Sequence, residues 1–407
     1  MLRDACLTAA GAAVCCCCCG TPAWGQPASF QGLGAFSPGN LSSFGNDVSG
    51  DGRVVVGDLW TNSTTQFAYR WAPAGGVEML RSSAVARAAS LDGSVIVGQA
   101  FWADTQQQAG FRWTAAGGME RLPMLDATDV SEDGTVIVAY ALMWRNGVVT
   151  NIGGLFATAV SGDGSTVVGY YSIGHPDPNL DTRAYRWTES TGQVDLGSLA
   201  GVEAIAEGVN TDGTVIVGQS RNQGGFWRAV RWVGAGGPED LGTLGGTMSA
   251  AFDVSGNGAV IVGQSLLTSA LGTERAFRWT AQTGMRDLRQ LLMEAGVTEV
   301  QAWRSLRAAL AVSKDGRVIV GYGRNPDNLW EAWRAVLPVP GTCPADWNGD
   351  GSVTPADVAA FVSAWSADLS AGSAATDFDA SGTVTPADVA AFVSAWFSAV
   401  TGGGGGC

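Results

Sequence analysis

Along most of the chain, short apolar runs alternate with small polar clusters at a repeating interval. A segment of form V-S-x-D-G-x-V-I-V-G recurs seven times, centred on Gly52, Gly93, Gly134, Gly164, Gly213, Gly258 and Gly316. The spacings are 41, 41, 30, 49, 45 and 58 residues. Each copy predicts a strand entering an Asp-Gly turn, a pair that tolerates positive φ, and a β-branched strand leaving it. Between copies runs a second signature, such as AYRWAPAGG at 68–76 or AFRWTAQTG at 276–284. Alternation there puts the aromatic pair on one face and Arg on the other. A Gly-rich turn and an L-G strand, such as VDLGSL or EDLGTL, finish the unit. VIVG is apolar on both faces, as suits a strand sandwiched between neighbouring sheets.

Four short strands per unit and seven units predict a mainly β chain, with a seven-bladed β-propeller over 29–340. A stacked solenoid is the second arrangement, but it calls for shorter and more uniform coils. The seventh copy has AVSKDG, VIVG and EAWRAVLPV but no closing L-G strand. FQGLGAF at 30–36 looks like that missing strand, and its pairing with the last unit would remove an exposed edge.

Length varies after VIVG and after L-G, as in 170–182, 264–274 and 288–310. In an antiparallel four-strand unit these two connections emerge on one face, where a ligand is expected to bind. Trp102, Trp227, Trp303 and Trp330 fall in these segments. They are candidate stacking platforms for a glycan, or alternatively packing at the unit edges. On V-S-x-D-G-x-V-I-V-G with F-R-W and L-G, residues 30–339 resemble the extracellular HAF repeats of bacterial proteins. The resemblance implies secretion and brings no established activity.

Net charge is −14, which argues against nucleic acid or an anionic membrane surface as partner. The first 28 residues hold an early Arg, a short apolar run and then small residues with Pro, as a secretory signal peptide does. No later run is long enough for a spanning helix, so no transmembrane span and an extracellular location are expected. His175 is the only His, which excludes multi-His metal centres, and neither a G-x-S-x-G elbow nor a phosphate loop is present. No catalytic residue is assigned. Paired carboxylates, as in a polysaccharide hydrolase or lyase, meet only in space, and such an enzyme is the alternative reading.

After Pro340 the composition changes. VTPADVAAFVSAW at 353–365 recurs letter for letter at 384–396. Ahead of each copy lie oxygen side chains at alternate positions, Asp346, Asn348, Asp350 and Ser352, then Asp377, Asp379, Ser381 and Thr383, and within each copy Asp357 or Asp388 completes a twelve-residue loop. Alternating oxygens, a Gly at the bend and a returning carboxylate suit calcium, so two ions are expected. Thr354 can cap the following helix, and Pro355 suits its first position. Two loop-helix units 31 residues apart, over 341–407, resemble a type I dockerin, a small α-helical module of paired EF-hand-like loops. The resemblance implies calcium-dependent docking onto a cohesin-like or other cell-surface protein. Pro355-Ala356 and Pro386-Ala387 stand where that family often has Ser-Thr to read its partner. The Gly-Cys ending, with a Cys before the first loop, looks like the GC-type variant. A Cys343–Cys407 disulfide would close a 65-residue loop, worth roughly 4 kcal/mol. Alternatively Cys407 is a flexible handle for another molecule.

Overall fold

The computed structural model describes residues 28–34, 42–61, 65–153, 156–174, 182–338, 345, 347, 353–371, 376, 378 and 383–401. Of the leader expected over 1–28, all but Ala28 lies outside them. The chain is mainly β. The first strands are β1 (Ser29–Gly32) and β2–β5 (Ser42–Val48, Val55–Trp60, Gln66–Ala72, Gly76–Ser82). Next come β6–β9 (Ala84–Ala89, Val95–Trp102, Gln107–Thr114, Gly118–Arg121) and β10–β13 (Asp129–Val130, Val136–Ala139, Leu142–Arg145, Val148–Asn151). Then follow β14–β17 (Phe156–Val160, Thr166–Ser172, Thr182–Thr188, Gly192–Asp195) and β18–β21 (Ala204–Val209, Val215–Arg221, Trp227–Val233, Glu239–Asp240). The last are β22–β25 (Ser249–Val254, Ile261–Leu266, Glu274–Thr280, Gly284–Asp287) and β26–β28 (Ser305–Val312, Val318–Arg324, Trp330–Val336).

Strands β6 to β25 form five antiparallel four-stranded meanders. The remaining eight strands share one sheet, in which β2–β5 meet β26–β28 at a single parallel bridge, Ser42 with Trp330. β1 runs antiparallel to β28, with Ser29 to Gly32 opposite Val336 to Trp333. The segment ahead of the first repeat thus completes the last one, as its L-G pattern predicts. The innermost strands β2, β6, β10, β14, β18, β22 and β26 each neighbour the next, and β26 returns to β2. Sheets standing radially around such a ring make a β-propeller.

The V-S-x-D-G turn works by side-chain accounting. Ser49, Ser90, Ser131, Ser161, Ser255 and Ser313 each accept a hydrogen bond at Oγ from the backbone N–H five residues on, and Asn210 does so through Oδ1. The Asp or Asn two positions later accepts from the N–H two residues beyond itself, as Asp92 does from Ser94 at 2.9 Å. The first set of donors lies buried or partly buried and would otherwise go unpaired. The turn glycine has two duties. Gly93 sits at φ 67°, and a Cβ there would lie 2.6 Å from Cγ2 of Val54 in the preceding unit.

The next strand begins fully buried: Val55, Val56, Ile96 and Val97 are inaccessible or nearly so. Burying each side chain contributes on the order of 1.5–3 kcal/mol. The glycine ending VIVG admits the inner strand, since a Cβ on Gly57 would fall 1.9 Å from the Phe44 carbonyl oxygen. Register shifts at Asn46, Arg87, Thr158, Glu207, Phe252 and Leu310 show the inner strands bulging. A bulge re-aims the side chain it carries.

Residues 288–302, expected only as a variable insertion, fold as α1 (Leu288–Glu294) and a 3-10 turn, Glu299–Ala302. Asp287 caps α1 by accepting from the Arg289 N–H at 2.8 Å. Leu288, Leu292, Val297 and Val300 pack this insertion onto the core beside Phe30 and Trp333. At the end of the chain lie α2 (Pro355–Ala371) and α3 (Pro386–Thr401). They begin at the expected prolines and pack around Phe361, Phe378, Phe392 and Ala395. Among the described residues no helix is long and apolar enough to cross a membrane.

Candidate functional site

The inner strands enclose a cavity of about 130 Å³ on the ring axis. Its turn end is ringed by a continuous chain of backbone hydrogen bonds of 2.8 to 3.2 Å through the x and D positions of V-S-x-D-G. The donors and acceptors run Asp51 to Leu91, Leu91 to Glu132, Glu132 to Gly162, Asp163 to Thr211, Thr211 to Gly256, Gly256 to Lys314 and Lys314 to Gly50. Side chains narrow what remains. Lys314, the only lysine of the chain, reaches across to Glu132 at 3.7 Å, and the Thr211 hydroxyl donates to the same carboxylate at 2.5 Å. The glycines of this ring leave the room: a Cβ on Gly162 would meet Glu132 Oε1 at 2.1 Å, and one on Gly50 would meet Leu91 Cδ1 at 2.5 Å.

One step inward, Asp47, Asp129 and Asp253 line the cavity. Each bridges to the next inner strand, accepting at 2.8 Å from the N–H of Ala89, Val160 and Val312 respectively. The next units carry Ala88, Ala159 and Ala311 at the corresponding position, which leaves space for each carboxylate. Burial raises all three carboxyls. Asp129 is pushed up to about 6, against the pull of the Val160 and Val130 N–H groups. Asp47 is raised further by repulsion from Asp253 and Asp129, whereas Lys314 restrains Asp253. Glu207, also on the wall, is pushed by burial up to about 7 and has one hydrogen bond among the described residues, from Gln219 Nε2 at 3.3 Å. Arg87 is held by Asp126 through contacts of 3.0 and 2.9 Å. The lining therefore carries more carboxylates than cations, a field that repels anions.

The other end of the inner strands is rimmed by the residue following VIVG. Asp58, Tyr170, Gln219, Gln264 and Tyr322 face Phe44, Phe156, Ile205, Ala250 and Ala308 across the ladder. Gln99 faces Val85, and Tyr140 bridges to Ala157. Asp58 is held at this end by Asn46, Trp60 and Gln66. Asp51 is turned to Ser49 and the Arg53 N–H at the opposite end. The acidic pattern DVSGDGRVVVGD at 47–58 thus sends its carboxylates to different ends of a strand pair.

The tryptophans expected on the ligand face divide. Trp102, Trp227 and Trp330 are half-buried, each under a guanidinium: Arg81 at 4.3 Å, Arg221 at 4.7 Å and Arg324 at 3.8 Å from the ring centroid. Trp303 is a correction. It is 7% exposed and packs edge-on against Phe30 at 5.1 Å, because the insertion before it folds onto the core.

Of the expected calcium ligands, Asp357, Thr383 and Asp388 are described, whereas Asp346, Asn348, Asp350, Ser352, Asp377, Asp379 and Ser381 lie outside the described residues. So do Cys343, Cys407 and His175. Asp357 and Asp388 are wholly buried at the starts of α2 and α3. Their Oδ2 atoms accept from the Thr354 and Thr385 N–H groups, both at 2.7 Å. Among the described residues no group of three or more His, Cys, Asp or Glu is arranged to hold a metal ion.

No family model and no curated protein sequence matches the chain. Solved structures are similar at low identity. The β-propeller domain of the Trilobed protease from Pyrococcus furiosus is 11% identical, with 74% of this chain and 94% of that chain covered and a TM-score of 0.49. TolB from Acinetobacter baumannii is 14% identical over 72% of this chain, which spans 65% of that protein, with a TM-score of 0.41. A gluconolactonase from Xanthomonas campestris is 12% identical, with coverages of 76% and 89% and a TM-score of 0.39.

Proposed function

We propose that this protein is a secreted, non-enzymatic scaffold: a seven-bladed propeller presenting a ligand-binding face, joined to a calcium-dependent, dockerin-like docking module. One observation carries the docking half. Two identical loop-to-helix junctions bury Asp357 and Asp388 in the same hydrogen bond, at the point where a calcium loop needs its last carboxylate turned back. With Asp346, Asn348 and Asp350 ahead of one helix, and Asp377, Asp379 and Ser381 ahead of the other, each loop supplies the oxygen set of a hard cation. Calcium, when bound, supplies charge neutralisation that fixes the two helices for docking. The propeller half is supported by seven inner strands around one axis and by β1 completing the last sheet.

The test is capture of partners by immobilised full-length protein from medium in which the source has grown. A partner retained in calcium and released by chelator, but not retained by the Asp357→Ala/Asp388→Ala variant, supports docking. Retention independent of calcium contradicts it.

A further inference from the structure

The end of the inner strands opposite the turns carries an aromatic run, one pair of which is stacked. Tyr140, Phe156 and Tyr170 follow one another with ring centroids 5.6 Å apart for Tyr140–Phe156 and 5.3 Å for Phe156–Tyr170. The second pair is within 10° of parallel. Phe44, Tyr322 and Trp330 also meet in series, but edge to face, which offers no open platform. Tyr140 and Phe156 are 40% and 41% exposed, an unusual amount for aromatic residues at the heart of a ring of strands. They are uncovered because the unit from β10 to β13 has a minimal connection after its second strand: β11 ends at Ala139 and β12 begins at Leu142.

Phe156 precedes Thr158, which lines the cavity, by two residues on the innermost strand. Glu207 stands on the next inner strand, and the Gln219 that donates to it holds, in that unit, the place after the second-strand glycine that Tyr170 holds in the unit before. Its Oε1 takes the one bond from Gln219, and Oε2 has no partner among the described residues. No basic side chain among the described residues pairs with it: Arg87 is engaged by Asp126 and Lys314 by Glu132. Below lie Asp47, Asp129 and Asp253.

We propose that this end of the channel binds a small organic cation, an alkylammonium group seated on the Phe156–Tyr170 rings with its charge toward Glu207. Ring faces attract such cations, and the attraction grows where water is displaced. The carboxylates of the wall select for positive charge, and the Lys314–Glu132 pair narrows the approach from the turn end. The proposal rests on the propeller being a ligand-binding body, and it names the class of that ligand.

The experiment uses the full-length protein with tetramethylammonium chloride as probe and tert-butanol as its neutral counterpart, read by calorimetric or NMR titration. At pH 8 saturable binding of tetramethylammonium is expected, with none of tert-butanol. Glu207→Gln, near-isosteric, should weaken binding about tenfold, as should Tyr170→Ala with its melting curve checked. Lowering the pH to 5.5 should weaken it too as Glu207 takes a proton, the groups facing it being Tyr170, Gln219 and the channel carboxylates. Absence of binding, equal binding of tert-butanol, or an unchanged affinity in Glu207→Gln overturns the proposal. Binding of neutral glycans in its place would overturn it while leaving the ligand-face reading standing.

Discussion

The rings of Phe361 and Phe392 lie face to face, 4.2 Å apart and 6° from parallel, and both are wholly buried. They occupy the same place in the two copies of VTPADVAAFVSAW, so the duplication closes on itself. Its other contacts are reciprocal as well. Trp365 donates from Nε1 to the Thr385 carbonyl at 2.9 Å, and Trp396 donates to the Thr354 carbonyl at 2.8 Å. Trp347 and Phe378 each set an edge against both stacked rings. Each helix therefore holds the residue in front of the other, and the two copies share one core.

Phe361→Ala should cost about 3–5 kcal/mol, as for an aromatic removed from a core. Thermal unfolding followed by circular dichroism should show the helical signal melting earlier and the β transition unmoved. Calcium affinity should fall at both proposed sites, because Trp347 and Phe378, neighbours of Asp346 and Asp377 in sequence, rest on this stack.

Closure of the ring is tested at Phe30. Its ring meets Trp303 and Trp333 at 5.1 and 6.2 Å, and it holds β1 on the last sheet. Phe30→Ala should destabilise the propeller by about 3–5 kcal/mol in chemical denaturation. A loss under about 1 kcal/mol would mean that β1 is dispensable to closure.

The two duties of the turn glycine separate by comparison. Gly118 has φ 66° and open space for 4 Å around the place a Cβ would take, whereas Gly93 has φ 67° and the Val54 contact. Gly118→Ala should cost about 1–2 kcal/mol for the left-handed backbone alone. Gly93→Ala should cost about 1–3 kcal/mol more, from overlap with the neighbouring unit. Paired denaturation curves measure the difference.

Acid should first stabilise the propeller. Asp129 and Glu207 have folded values of about 6 and about 7, above those of the unfolded chain. Their ionised forms thus oppose folding, and stability rises as pH falls from 8 through these values toward about 5. Below about 4 the trend reverses, because Asp92, Asp133, Asp163 and Asp212, held low by turn hydrogen bonds, begin to take protons. Melting temperatures in chelator should be a few degrees higher at pH 5.5 than at pH 8. Glu207→Gln should flatten that slope.

The repeats were legible because each residue of V-S-x-D-G answers a local requirement: a cap, an Asx turn, a positive φ. The closing strand was legible because one repeat lacked it and another segment carried it. The channel was not. Asp47, Asp129 and Asp253 are three ordinary residues in a recurring pattern, and only ring closure brings their charges within range of each other. The bulges that re-aim Thr158 and Glu207 have no local signal either, since they arise where one strand is one residue longer than its partner. Trp303 was misplaced for a different reason. Asp287, Leu288, Leu291, Leu292 and Gly296 spell a capped amphipathic helix, a signal present in the sequence but hidden by the insertion's length.

Calcium titration of the full-length protein tests the central claim most directly. Isothermal calorimetry on chelator-stripped protein should give two sites, Asp346→Ala should leave one, and calcium should raise the melting temperature of the helical signal. No heat of binding, with helicity and melting unchanged by calcium, would contradict the docking module.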